Sequence, residues 1–121
     1  MAEKLVFMVT KGPAEAELAT VPFVMAAAAL ASDVEVVMGF QGSAVELVKR
    51  GVAEMVNAAE FPPLAKLLND VRELGGKLLV CSPCLKSRGI KAPDDPVDGA
   101  EVVAAGRFIA EITSATNSLV Y

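Results

Sequence analysis

Leu5-Val6-Phe7-Met8-Val9 sets five apolar residues in a row with no polar interruption. Strict alternation would mark a strand with one wet face, whereas an unbroken apolar run marks a strand covered on both. Such a strand requires helices above and below it, and the rest of the chain supplies them. Thr10-Lys11-Gly12-Pro13 reads as a loop, and Glu15 to Ala31 as a helix with acidic residues in its first turn, where the helix dipole favours them. Pro22 should kink that helix or restart it after a short first turn. From Phe23 to Leu30 it is apolar all round, which predicts burial on two sides, one against the sheet and the other open to a neighbouring subunit.

The same alternation continues. Val34 to Met38 is a second strand, followed by a loop at Gly39-Phe40-Gln41-Gly42 and a helix from a Ser43 cap to Arg50. Met55 to Phe61 reads as loop. Pro62 opens a helix through Leu74, with Leu64, Leu67, Leu68 and Val71 on one stripe. Leu78 to Val80 is a third strand and Glu101 to Val103 a fourth. Ala104 to Ala115 is a helix with Phe108, Ile109 and Ile112 inward, and Ser118 to Tyr121 a last strand.

Strands alternating with helices predict a parallel sheet with helices on both faces. Five strands in 121 residues fit an α/β, flavodoxin-like three-layer sandwich of mainly parallel strands in the order 2-1-3-4-5, as a single domain over residues 1–121. In that order the first and third strands are neighbours at a topological switch point, where ligands bind beyond the strands' carboxyl ends. The loop at Thr10, Lys11 and Gly12 would then face the loop after Val80, with Lys11 opposite whatever chemistry stands there. Lys11-Gly12 does not make a phosphate loop, because the glycine spacing of one is absent.

What stands there is Val80-Cys81-Ser82-Pro83-Cys84-Leu85-Lys86-Ser87-Arg88-Gly89-Ile90, holding both cysteines of the chain. Ser82 suits an N-cap, Pro83 a first helical turn, and Gly89 the end of a helix of about two turns. Cys81 therefore sits where a strand hands over to a helix N-terminus. Unpaired amides there favour a thiolate, and Lys86, Arg88 and Lys91 add positive charge. A lone cysteine ending a strand is commonly packing. Two of them spaced C-x-x-C at such a turn point to thiol chemistry. A zinc site needs about four ligands. With two cysteines and no histidine, one chain cannot supply a thiolate–imidazole set, so no metal and no cofactor is expected.

Composition narrows the remaining classes. Apolar residues make up 54% of the chain and aromatics 5%, so the core is aliphatic. A mean hydropathy of +0.49 leaves apolar surface that a subunit interface would cover. Net charge is −4, with no basic run, which argues against nucleic acid. Phe23 to Ala31 falls short of the roughly 20 apolar residues a bilayer requires. Ala29-Leu30-Ala31 imitates a signal-peptidase site, but Pro13, Glu15 and Glu17 interrupt the hydrophobic region that would have to precede it. The mature chain is expected to start near Met1 and stay in the cytoplasm, where a C-x-x-C is kept reduced or is cycled.

An apolar strand ending in Cys81, a short helix, then Arg88-Gly89-Ile90 resembles the DsrE/DsrF/TusD-like sulfur-relay family. The likeness extends to the start of the chain, with strand, Gly12-Pro13, alanine-rich helix and second strand at similar separations. It implies a flavodoxin-like fold, assembly as a homotrimer or homohexamer, sulfur carried as a persulfide on the position matching Cys81, and donor and acceptor proteins as partners. Cys84 lies outside the minimal family pattern, which leaves open whether it resolves the persulfide. Some members of that family lack the cysteine and serve as structural subunits.

Thiol chemistry supplies the mechanism such a chain would use. A Cys81 thiolate attacks the outer sulfur of a donor persulfide, becomes a persulfide itself, and yields the outer sulfur to an acceptor thiolate. A depressed thiol pKa makes a separate base unnecessary, which suits a chain without histidine. Thr10, Lys11, Gly12, Ser82 and Arg88 are the candidate anion-binding residues beside catalytic Cys81 and Cys84. The rival readings are a dithiol–disulfide oxidoreductase using Cys81 and Cys84 as a redox pair, and a non-catalytic assembly subunit. Against the first, the motif lacks the aromatic residue that usually precedes a thioredoxin-type C-x-x-C.

Overall fold

The computed structural model describes residues 3–121, so the expected start at Met1 lies outside the described residues. Five strands, β1 (Lys4–Val9), β2 (Glu35–Phe40), β3 (Lys77–Cys81), β4 (Ala100–Val103) and β5 (Asn117–Val120), pair in parallel throughout. The α/β class, the layering and the parallel sheet are those read from the sequence. β1 behaves as its unbroken apolar run requires: Val6, Phe7, Met8 and Val9 are all buried.

The strand order is β4-β3-β2-β1-β5, which corrects the expected 2-1-3-4-5. The reason lies in where the helices pack. α1 (Ala16–Ala31) and α2 (Leu64–Glu73) share one face of the sheet, around Phe7, Phe23, Met38, Phe40 and Leu64. Crossovers of one hand over one face all step the sheet in the same direction, so β1, β2, β3 and β4 follow one another. α4 (Ala105–Thr113) covers the opposite face, with Phe108 over Val6, Met8, Val37 and Leu79. Its crossover carries the chain back to the free edge of β1, where β5 pairs. The 2-1-3-4-5 order would need α1 and α2 on opposite faces. Gly76 shows how closely those two pack, since a Cβ there would lie 2.6 Å from Val71 and 3.2 Å from Leu30.

Several elements depart from expectation for identifiable reasons. α1 runs unbroken through Pro22, which therefore does not restart it. The carbonyl of Leu18 loses its helical partner there, but Leu18 is half exposed and water can serve instead. Within the single chain α1 buries its sheet side as expected, through Ala19, Phe23 and Ala26, while Met25 and Ala28 lie on the side open to a neighbouring subunit. β2 continues past Met38 through Gly39 to Phe40. Gly39 belongs in the strand because a Cβ there would come within 2.7 Å of both Met8 Sδ and Phe108 Cε1. The segment from Gly42 to Val48 is a 3-10 helix rather than an α-helix, and Ser43 does not cap it.

In α4, Ile109 points outward at 59% exposure, contrary to expectation, and Glu111 takes an inward place. Glu111 accepts hydrogen bonds from Lys4 Nζ at 2.7 Å and Arg107 Nε at 2.8 Å, which offsets burial of its charge. Among the described residues no helix is long and apolar enough to cross a membrane.

Candidate functional site

Cys81 is the last residue of β3 and the N-cap of α3 (Ser82–Lys86), a single turn shorter than the two turns expected. Ser82 is consequently the first helical residue and not the cap. Gly89 ends the segment at φ +67, and the Ile90 amide returns to the Leu85 carbonyl at 3.1 Å. So short a helix has little macrodipole, and charge at the thiols depends on individual donors.

The corrected strand order moves the crevice but leaves Cys81 in it. The connection leaving β3 packs on the α1/α2 face through Leu85 and Ile90, while the connection leaving β4 packs on the opposite face through Phe108. Adjacent strands whose exits part to opposite faces make the switch point, and here they are β3 and β4. Cys81 stands there, in register with Val103 at the end of β4. It is half-buried and packs against the core clusters of both faces.

Cys84 is also half-buried, and both thiols are free. Its sulfur accepts the backbone N–H of Gly42 at 3.3 Å. Gly42 follows β2 with φ +56, a left-handed conformation that a side chain would strain. Arg88 donates from Nη1 to the Cys84 carbonyl at 3.2 Å and pairs through Nε with Glu46 of the 3-10 helix at 3.3 Å.

These contacts split the two thiols in the direction opposite to the one expected from the sequence. The Cys84 thiol is lowered, first because the Cys81 S–H donates to it, and further by the Gly42 amide and the Arg88 charge, against a cost of burial. The Cys81 thiol is raised, first by burial and then because it holds the proton it shares with Cys84. Cys84 is therefore the more acidic thiol of the pair and Cys81 the less acidic. Against the expectation of a Cys81 thiolate, that thiol is raised: burial and the Cys84 thiol outweigh the Cys84 backbone N–H, which lowers it as a helix N-terminus would, and Arg88 does not reach that sulfur.

The remaining sequence candidates divide. Ser82 and Arg88 lie within the cysteine turn. Thr10, Lys11 and Gly12 do not face it across a crevice, because the β2 loop stands between. Ser43 Oγ donates to the Thr10 carbonyl at 3.5 Å, and a Cβ on Gly12 would lie 2.6 Å from the Ser43 carbonyl oxygen. Lys11 Nζ donates to Thr10 Oγ1, which in turn donates to the Tyr121 carbonyl. The three residues thus brace the segment that presents the Gly42 amide. A cavity of about 470 Å³ adjoins α3, lined by Ser82, Leu85, Lys86, Ile90, Lys91 and Val102. Neither sulfur lines it. Among the described residues no three His, Cys, Asp or Glu side chains converge as metal ligands would.

Sequence reasoning passed over Gly42 and Glu46. A backbone N–H carries no residue signature, so the amide could be found only from the strand order.

The model of the DsrE/DsrF-like family matches residues 3–121. The chain belongs to the DsrE/DsrF-like family. The uncharacterized protein MJ0989 of Methanocaldococcus jannaschii is 29% identical over 118 residues, spanning 98% of this chain and 99% of that protein. Among solved structures, the ychN protein from E. coli superposes with a TM-score of 0.83 at 20% identity, over 98% of this chain and 99% of that one. The protein of unknown function MTH1491 from Methanobacterium thermoautotrophicum gives 0.76 at 15% identity, with the same coverage. At those identities the two structures speak for the DsrE-like fold. Membership of the DsrE/DsrF-like family supports a role related to sulfur relay.

Proposed function

We propose that this DsrE/DsrF-like chain carries sulfur as a persulfide on Cys81 and passes it to a partner thiol. The observation that carries this reading is the pair itself: Cys81 at the switch point of the sheet, beside a Cys84 whose sulfur the Gly42 amide holds in place and whose thiol is the more acidic of the two. Cys84 supplies the proton acceptor that a histidine would otherwise provide. As the Cys81 sulfur attacks the outer sulfur of a donor persulfide, its proton passes to Cys84. The donor's S–S bond breaks and the donor leaves as a thiolate. The product is the Cys81 persulfide beside a neutral Cys84 thiol, with net charge unchanged. An acceptor thiolate then takes the outer sulfur, and Cys81 departs as the leaving thiolate.

The partners on this reading are a sulfur donor protein and a sulfur acceptor protein, in a reducing, cytoplasmic compartment. The chain acts as a homotrimer or homohexamer, for which the apolar outer surfaces of α1 and α4 speak. Anion binding at the sulfur falls to Ser82, Arg88 and the Gly42 amide. Thr10, Lys11 and Gly12 contribute by fixing the segment that bears that amide.

Intact-mass analysis after exposure to a persulfide donor tests the assignment. Cys81→Ser should gain no sulfur, and Cys84→Ser should load, more slowly, to one sulfur per chain. Loading of Cys81→Ser with none on Cys84→Ser would reverse the roles. A dithiol oxidoreductase would instead lose turnover in both variants, with Cys84→Ser trapped as a mixed disulfide.

A further inference from the structure

The second thiol does more than accept a proton. Cys81 is the N-cap and Cys84 the third residue of a single helical turn, which brings the two thiols close enough for each to act on the other's proton. Cys84 is held at that place from outside the turn, by the Gly42 N–H at 3.3 Å. Gly42 is itself fixed, because Ser43 bonds the Thr10 carbonyl and Gly12 packs against Ser43. A nucleophile is thus kept beside whatever Cys81 carries, and no partner protein has to deliver it.

We propose that Cys84, seated by the Gly42 amide, attacks the inner sulfur of the Cys81 persulfide and expels the outer sulfur as hydrosulfide, giving the chain a sulfide-releasing activity. The inference rests on the persulfide reading above and extends it. In the step the Cys84 sulfur forms a bond to the Cys81 sulfur, and the S–S bond of the persulfide breaks. The outer sulfur leaves with the bonding electron pair as HS⁻. The two cysteines become a disulfide: Cys84 is oxidised while the carried sulfur is reduced to the sulfide level, so the persulfide is the oxidant of Cys84. Charge balances, with one thiolate consumed and one hydrosulfide formed. Return to the starting state takes a dithiol reductant, which becomes a disulfide as Cys81 and Cys84 are reduced. Loading removes the Cys81 S–H, but the Gly42 amide and the Arg88 charge still lower Cys84, so the neutral Cys84 thiol left by loading gives its proton to water and attacks as the thiolate.

The consequence is a branch point on one turn of helix. A partner thiol that reaches Cys81 first receives sulfane sulfur, and without one the chain discharges sulfide and closes.

The test uses the full chain, reduced and freed of reductant, mixed with one equivalent of a low-molecular-weight alkyl persulfide. Sulfide is followed with an electrode and the protein by intact mass, with Cys81→Ser as the blank for donor decay. The unmodified chain should release close to one sulfide per chain and end two hydrogens lighter. Cys84→Ser and Cys84→Ala should both end one sulfur heavier, with sulfide release lowered at least about tenfold. An unmodified chain that stays one sulfur heavier and releases no more sulfide than the blank overturns this inference and leaves the carrier reading intact. Cys84 variants that fold, by circular dichroism, yet never take up sulfur overturn both.

Discussion

The amide of Gly42 lies 3.3 Å from the sulfur of Cys84, joining the loop after β2 to the helix after β3. Because Cys84 also accepts the Cys81 S–H, the lower-pKa thiol of the pair is the second one. The first is raised by burial and by the proton it holds. Thiolate fraction dominates reactivity when a thiol titrates above the working pH, since intrinsic nucleophilicity falls less steeply with pKa. Iodoacetamide labelling across a pH series, mapped by peptide mass, should therefore find Cys84 reacting at lower pH than Cys81. Labelling that begins at Cys81 would count against this assignment.

Arg88 acts on Cys84, whose carbonyl its Nη1 contacts, and it is not among the influences on Cys81. Replacing Arg88 and Lys86 together with Gln should move the labelling profile of Cys84 toward higher pH. Any change at Cys81 should follow only through the shared proton. The effect is small, because Arg88 is one-third exposed and already paired with Glu46. A profile that stays in place would reduce both cations to solvated surface charge.

Much of this was legible in the sequence, because it depended on local pattern. The apolar run at Leu5 to Val9, the stripe of Leu64, Leu67, Leu68 and Val71, and the strand-to-helix turn at Cys81 each carry their own signal. The strand order did not, because nothing in α1 or α2 states which face of the sheet it will cover. Gly76, where the two helices converge, carries no such signal. The thiolate assignment failed for a related reason. It rested on a helix dipole that a five-residue helix barely possesses, while the donors that lower Cys84 are the Cys81 S–H and a backbone amide from a loop whose neighbours follow from the strand order. Ile109 was misplaced because the inward position of its turn is occupied by a glutamate, which periodicity assigns to water.

That glutamate couples stability to acid. Glu111 is buried and its carboxyl is lowered, first by Lys4, then by Arg107. A carboxyl whose folded pKa lies below its unfolded value contributes stability above the unfolded pKa, and this is lost as pH falls through the folded one. Stability should thus decline below the ordinary carboxylate range, and Glu111→Gln should flatten that decline. At neutral pH the same substitution should cost about 1.5–3 kcal/mol, the range for hydrogen bonds to charged groups. Urea unfolding at several pH values measures both, and an unchanged acid limb would remove Glu111 from the account.

At Gly39 the Phe108 side chain of α4 lies close against β2. A Cβ there would approach Met8 Sδ and Phe108 Cε1 to 2.7 Å, distances that require movement. Both obstacles are side-chain atoms, so the core can repack at a cost. Gly39→Ala should destabilise by about 1–3 kcal/mol, as other overpacked cores do. It should do so without altering the order in which the thiols label, since Gly42 and Cys84 lie on the far side of the sheet end. A neutral or stabilising result would show that α4 lifts freely from β2.

Assembly follows from what the single chain leaves uncovered. Leu18 and Met25 on α1 are 49% and 46% exposed, and Ile109 on α4 is 59% exposed. Val120, on the edge strand β5, reaches 75%, and that edge also presents unpaired backbone groups. α1 has no polar outer side between Val21 and Ala31, so water gains nothing by wetting it. A trimer or hexamer is the expected outcome, with these residues removed from solvent. Light scattering at micromolar concentration should return a multiple of the 12.6 kDa chain mass. Leu18→Glu with Met25→Lys should lower that multiple if α1 is the seam, and Ile109→Lys should do so if it is α4. A monomer mass for the unsubstituted chain would leave this apolar surface bare in solution, and would defeat the assembly reading.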